Sequence, residues 1–169
     1  GMRSQQSGRL VQRVLEIETY RMMALLGLPY AMQAAPSLNA IENELATLAA
    51  AMVDTDDAPG LAKADEGVAE QALLDRITRL AARIEKLSLD NSYRFSASKA
   101  YMGLVKARIE ELREVRIEGI PTVEEFMDRR LTPAMNTCEA MASRQEAMAQ
   151  RIANTNDLLR TRVGIVQEL

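Results

Sequence analysis

The sequence predicts an all-α protein: an elongated antiparallel helical bundle or coiled coil with two long helices and a shorter N-terminal helical pair. Apolar residues recur at alternating spacings of three and four over long stretches, the mark of a helix seam. Ala, Leu, Glu, Arg and Gln fill most positions while aromatic residues make up only 4%, a mixture that favours helix over sheet. The hydrophobic fraction of 47% in 169 residues is enough to bury a real core.

The first helix is read from about Ser7 to Leu28, where Leu10, Val14, Ile17 and Ala24 form one stripe and Val11, Leu15, Met22 and Leu25 a second. Gly27 and Pro29 are expected to end it, and Pro36 to permit a second start at Ser37. From there Leu38, Ile41, Leu45, Leu48 and Met52 set one narrow seam, which carries the second helix to about Val53. The stretch Asp54 to Gly67 holds Asp54, Asp56, Asp57, Pro59, Gly60, Asp65 and Glu66 and reads as a solvated acidic loop.

A long third helix is expected from Val68 to Ile117, roughly 75 Å at 1.5 Å per residue. Its seam is Leu73, Ile77, Leu80, Ile84 and Leu87, resumed by Tyr101, Val105, Leu112 and Val115. Gly119 and Pro121 stop it. Thr122 and Glu125 then form a capping-box signature for the last helix. That helix is expected to restart or kink at Thr132-Pro133 and to carry the seam Leu131, Met135, Cys138, Ala142, Gln145, Ala149, Ile152, Asn156, Leu159, Val163 and Val166. Ala142 and Ala149 predict close helix approach. Residues 1–169 thus read as one helical bundle domain, divided into a helical pair (1–53), the acidic loop (54–67) and a long helical hairpin (68–169). Gly1 ahead of Met2 resembles the scar of a cleaved tag, and the final helix lacks a stop signal, so a fragment of a longer protein is expected.

The composition narrows the chemistry. A net charge of −3 provides no global field for nucleic acid or an anionic bilayer, so no nucleic-acid partner is expected. With no His and a single Cys, there is no internal disulfide, no cysteine-based zinc cluster and no triad base. The inward Glu-x-x-His pairs of a di-iron bundle are also missing. Apolar runs such as Met22 to Leu28 are far shorter than the roughly 20 residues of a spanning helix. The acidic stretch from Asp54 departs from the calcium-loop pattern, with Pro59 where that pattern needs Gly and Asp65 where it needs Glu. Neither cofactor nor metal is expected, and no catalytic residue is assigned. Cys138 reads as a small apolar seam member.

One stretch breaks the pattern. Between Asp90 and Tyr101 stand three of the chain's aromatics, and Asn91, Arg94 and Ser98 occupy seam spacing. One account is a local change of helix face, with Leu89, Tyr93, Ala97, Ala100 and Leu104 taking over the burial. The other makes Arg94 a buried or interfacial cation held by a carboxylate, which sets register or receives a partner. Asn91, Tyr93, Arg94, Ser98 and Tyr101 are the candidate interaction or register site.

Several segments taken together resemble a bacterial family of uncharacterised, membrane-anchored proteins of unknown function. They are Arg9-Leu10-Val11-Gln12-Arg13-Val14-Leu15-Glu16-Ile17-Glu18-Thr19-Tyr20-Arg21, Tyr93-Arg94-Phe95, Ile109-Glu110-Glu111-Leu112-Arg113-Glu114, Arg129-Arg130-Leu131-Thr132-Pro133-Ala134-Met135 and Leu158-Leu159-Arg160-Thr161-Arg162-Val163. The resemblance spans nearly the whole chain and contains no known catalytic motif. It implies a soluble segment on the cytoplasmic face of the inner membrane, preceding C-terminal membrane helices that this chain lacks. The expected function is a non-catalytic juxtamembrane stalk or oligomerisation segment, whose partners are copies of itself or the missing parts of its own chain. The alternatives are a regulatory stalk of a CorA-like ion transporter, by architectural analogy, and a small-ligand-binding bundle near Arg94.

Overall fold

The computed structural model describes residues 2–57 and 63–168. Four helices follow one another: α1 (Met2–Leu25), α2 (Gly27–Asp56), α3 (Lys63–Leu112) and α4 (Val123–Glu168). No strand occurs among the described residues, and Ile117 and Ile120 form only an isolated antiparallel bridge. The protein is an all-α helical bundle. Its residues group into two compact units, one of Gly1–Gln33 with Asn91–Ala142, the other of Ala34–Asp90 with Ser143–Leu169.

In the first unit the break between α1 and α2 is a single residue, Leu26, whose N–H donates to the Met23 carbonyl at 3.3 Å. One residue is too little for a chain reversal between helices. The helix boundaries expected at Leu28 and Ser37 are therefore corrected. α2 already begins at Gly27, which places Pro29 in its first turn, where a missing N–H loses no intrahelical acceptor. The buried face continues across the break through Ile17, Ala24, Gly27 and Ala31.

The core of this unit gathers Ile17, Ala24, Val105, Ile109, Met127 and Leu131, flanked by Tyr20, Tyr101 and Met135. A second cluster joins Ala31, Phe95 and Cys138. α3 ends at Leu112, short of the expected Ile117. Arg113 takes a left-handed conformation with φ 49° and donates its N–H to the Glu110 carbonyl at 3.2 Å, the geometry of a helix C-cap. Beyond it, Ile117 to Ile120 close a tight turn in which Gly119 has φ 81°. A type II turn requires that value at its third residue, and Gly meets it without strain.

The early end of α3 leaves Glu114 outside the helix, free to cap the next one. Its carboxylate accepts the backbone N–H groups of Val123 (2.8 Å) and Glu124 (3.3 Å), while Thr122 Oγ1 accepts that of Glu125 (3.1 Å). Three of the four orphan donors of α4 are satisfied, and a negative charge sits at the positive end of the helix. The Thr122 half of the expected capping box forms. Glu125 instead pairs with Arg116 at 2.9 Å.

The second unit buries Leu38, Ile41, Leu45, Leu48 and Met52 of α2 as expected. With them are buried Leu73, Ile77, Leu80 and Ile84 of α3, and Met148, Ile152 and Leu159 of α4. Each large side chain contributes about 1.5–3 kcal/mol by leaving water. That burial offsets the cost of about 3 kcal/mol for Pro36, an exposed residue inside α2. The acidic loop is corrected at both ends, since α2 reaches Asp56 and α3 starts at Lys63; residues 58–62 lie outside the described set. Asp65 and Glu66 stand in the first turn of α3, where acidic side chains suit the helix dipole.

α4 neither stops nor restarts at Thr132-Pro133. Its seam keeps Leu131, Cys138, Gln145, Ile152 and Leu159, but the alternate positions are Ala134 and Met148 rather than Met135 and Ala149, which are half-buried. A helix flanked by two neighbours buries a band wider than a single seam, and within that band spacing alone does not select the deepest residue.

Candidate functional site

Asn91, Tyr93, Arg94, Ser98 and Tyr101 all lie on α3 within the first unit. Asn91 and Ser98 are buried, at 4% and 2% exposure, whereas Tyr93 is 74% exposed. The face change expected here does not occur: Leu89 and Leu104 are exposed along with Tyr93, and burial stays with Asn91, Phe95 and Ser98. The three-four register simply continues, and the small residues opposite give it room.

The most crowded point of that register is Gly27. A Cβ placed there would stand 2.2 Å from Ser98 Oγ, 3.0 Å from Ser98 Cβ and 3.3 Å from Cys138 Sγ. α2, α3 and α4 therefore meet at a glycine, a serine and a cysteine. Gly27, read from the sequence as a helix terminator, is a packing residue.

Arg94 is half-buried, and its guanidinium lies 5.3 Å from the centroid of the Tyr30 ring. The expected carboxylate is replaced by an aromatic face, which attracts the cation through the ring quadrupole. Tyr101 packs instead on Tyr20, with ring centroids 6.0 Å apart and planes inclined by 31°. Asn91, Arg94 and Ser98 thus form a polar strip on the packed face of α3, from which Tyr93 points away. Burial pushes the Cys138 thiol up from its ordinary range, so it is held neutral rather than primed as a nucleophile.

A second polar centre lies in the other unit, at residues the sequence reading did not single out as a site. Arg162 of α4 donates to Asp56 Oδ2 at 2.6 Å and to the Met52 carbonyl at 3.5 Å, and faces Glu70 Oε1 of α3 at 3.5 Å. One guanidinium thus covers the C-terminal end of α2 and a carboxylate of α3. The Glu70 side chain is only 8% exposed, and its other oxygen, Oε2, accepts no hydrogen bond. A cavity of about 270 Å³ opens beside them, lined by Thr55, Asp56, Glu66, Glu70, Arg162 and Ile165. The available signal was Arg162 itself, a charge at heptad distance from buried Met148 and Ala134.

The model of a family described as a protein of unknown function, DUF3422, matches residues 1–169. The chain belongs to that family. No curated protein and no solved structure matches it.

DUF3422 carries no assigned reaction, so the geometry of this member has to speak for itself. No helix among the described residues is long and apolar enough to cross a membrane. Of the two polar centres, the strip around Ser98 is tightly filled where it meets Gly27. The centre around Glu70 borders open space and leaves an acceptor unused.

Proposed function

We propose that this chain is a non-catalytic helical module that associates with further copies of itself. In this reading it forms the oligomerisation segment or juxtamembrane stalk of a membrane-anchored bacterial protein at the cytoplasmic face of the inner membrane. The observation that carries self-association is α1. From Arg3 to Leu15 every residue is exposed, and among them Leu10 (53%), Val11 (58%), Val14 (44%) and Leu15 (61%) repeat at helical spacing.

An isolated helix of that length is marginal in water, and most helical stability comes from packing an apolar face. Ser4, Ser7 and Gly8 lower its intrinsic propensity further. A helix here therefore calls for a partner surface. Glu16 and Glu18 are already paired with Arg108 and Arg21, so the exposed apolar stripe, rather than charge, is the surface that a second α1 would cover. The membrane assignment rests on the family resemblance.

The test is light scattering over a concentration series, comparing the natural chain with Leu10→Glu/Val14→Glu. The expected result is a defined oligomer that dissociates in the variant while helix content remains mostly intact. A natural chain that stays monomeric at every concentration, or a variant that assembles equally well, defeats the proposal.

A further inference from the structure

We infer that the cavity beside Glu70 is a binding site for an aliphatic diamine, a role independent of self-association. Two separate observations lead there. The first is electrostatic: among the described residues three carboxylates, Asp56, Glu66 and Glu70, share the cavity with one guanidinium, Arg162, and Thr55 adds a hydroxyl oxygen. With all four charged groups ionised the lining is doubly negative, which matches a dication.

The second is the Glu70 carboxylate itself. Buried carboxylate oxygens normally receive hydrogen bonds, because leaving one without a donor forfeits its hydration with nothing in return. Glu70 Oε1 has Arg162 at 3.5 Å, whereas Oε2 has no partner. Glu70 lines the cavity, so a turn of its carboxyl group presents that oxygen to a donor bound there. Arg162 is already committed to Asp56 Oδ2 and the Met52 carbonyl, and among the described residues no other donor reaches Glu70 Oε2.

The shape of the charge selects the ligand class. Among the described residues no group of three or more carboxylates, thiols or imidazoles is placed to hold a metal ion. Asp56 and Glu70 both contact the Arg162 guanidinium, whose charge repels a compact divalent ion. An extended cation with two separated ammonium groups suits this arrangement. One ammonium donates to Glu70 and the other to Glu66, since Asp56 is held by Arg162, and the methylene chain lies against Ile165.

The experiment is calorimetric titration of 1,4-diaminobutane into the whole chain at low salt, with magnesium chloride and butylamine titrated separately. The proposal expects saturable one-to-one binding of the diamine, at least tenfold tighter than that of butylamine, and no saturable binding of magnesium. Glu70→Gln and Glu66→Gln should each weaken it about tenfold. Because Glu70 is buried, circular dichroism checks that its variant folds; half-buried Glu66 supplies the second variant. No saturable heat with the folded natural chain, equal binding of butylamine, saturable binding of magnesium, or a diamine affinity unchanged in Glu66→Gln each overturns it.

Discussion

Gly27 and Ser98 approach so closely that a methyl group on the glycine would stand 2.2 Å from the serine hydroxyl oxygen. This contact fixes how near α2 and α3 lie in the first unit, with Cys138 of α4 completing the layer. In an exposed helix Gly→Ala would stabilise by about 1 kcal/mol. Here overpacking, at about 1–3 kcal/mol, outweighs that gain. Gly27→Ala is expected to lower stability in denaturant titration, and its cost should shrink markedly in a Ser98→Gly background. Purely additive effects of the two changes would show that the contact is not the cause.

The ionic centre at Arg162 should behave as a unit. Replacing Arg162 by Met leaves Glu70 buried without the counter-charge that faces it and uncovers the end of α2. The pair is partly exposed, so the loss should fall below that of a fully buried pair, at about 1–3 kcal/mol. Adding Glu70→Gln to Arg162→Met is expected to recover part of the loss. A double-mutant cycle with no coupling would remove Glu70 from the account.

Arg113 adopts φ 49° at the C-terminus of α3, a conformation that costs a residue with a Cβ about 1 kcal/mol relative to glycine. Arg113→Gly should therefore leave stability unchanged or raise it by up to about 1 kcal/mol, even though glycine entropy opposes it. Arg113→Val, branched at Cβ, should lower it. Thermal melts of the two variants should move apart in that order.

The connection that follows depends on Glu114 as the cap of α4. Glu114→Ala removes the acceptor for the N–H groups of Val123 and Glu124 and should cost about 0.5–2 kcal/mol. Hydrogen exchange should quicken first at those two amides, with little change in α2. Uniform acceleration along the chain would mean that the carboxylate does not act as a local cap.

Desolvation raises the Cys138 pKa in the folded state, so folding favours the neutral thiol. The sign follows: this contribution to stability is full below the ordinary thiol range and is lost as pH rises through it towards the folded value. Iodoacetamide at pH 8 should label Cys138 far more slowly in the native protein than in denaturant. Equal rates would show that the thiol is not shielded between Gly27 and Ala31.

Much of the fold was legible because helix periodicity is a local property. Leu38, Ile41, Leu45, Leu48 and Met52 repeat at three-four spacing, and all five are buried. No longer-range information is needed to see which face of such a helix is apolar. The candidate strip was half legible: Asn91 and Ser98 are buried on the packed face, but the fate of Tyr93 and the partner of Arg94 were not deducible. Spacing reports which side of a helix a residue occupies and is silent about what stands opposite.

By itself the sequence determined the all-α class, the seam of α2, and the absence of histidine and of an internal disulfide. The tertiary structure decided where helices end, that Gly27 is a contact rather than a terminator, and that Tyr30 holds Arg94. It alone brought Arg162 to Asp56, residues 106 positions apart, and left Glu70 beside a cavity with an unused oxygen. Backbone propensity and periodicity act over a few residues, whereas burial and ion pairing depend on which distant segments the packing brings together.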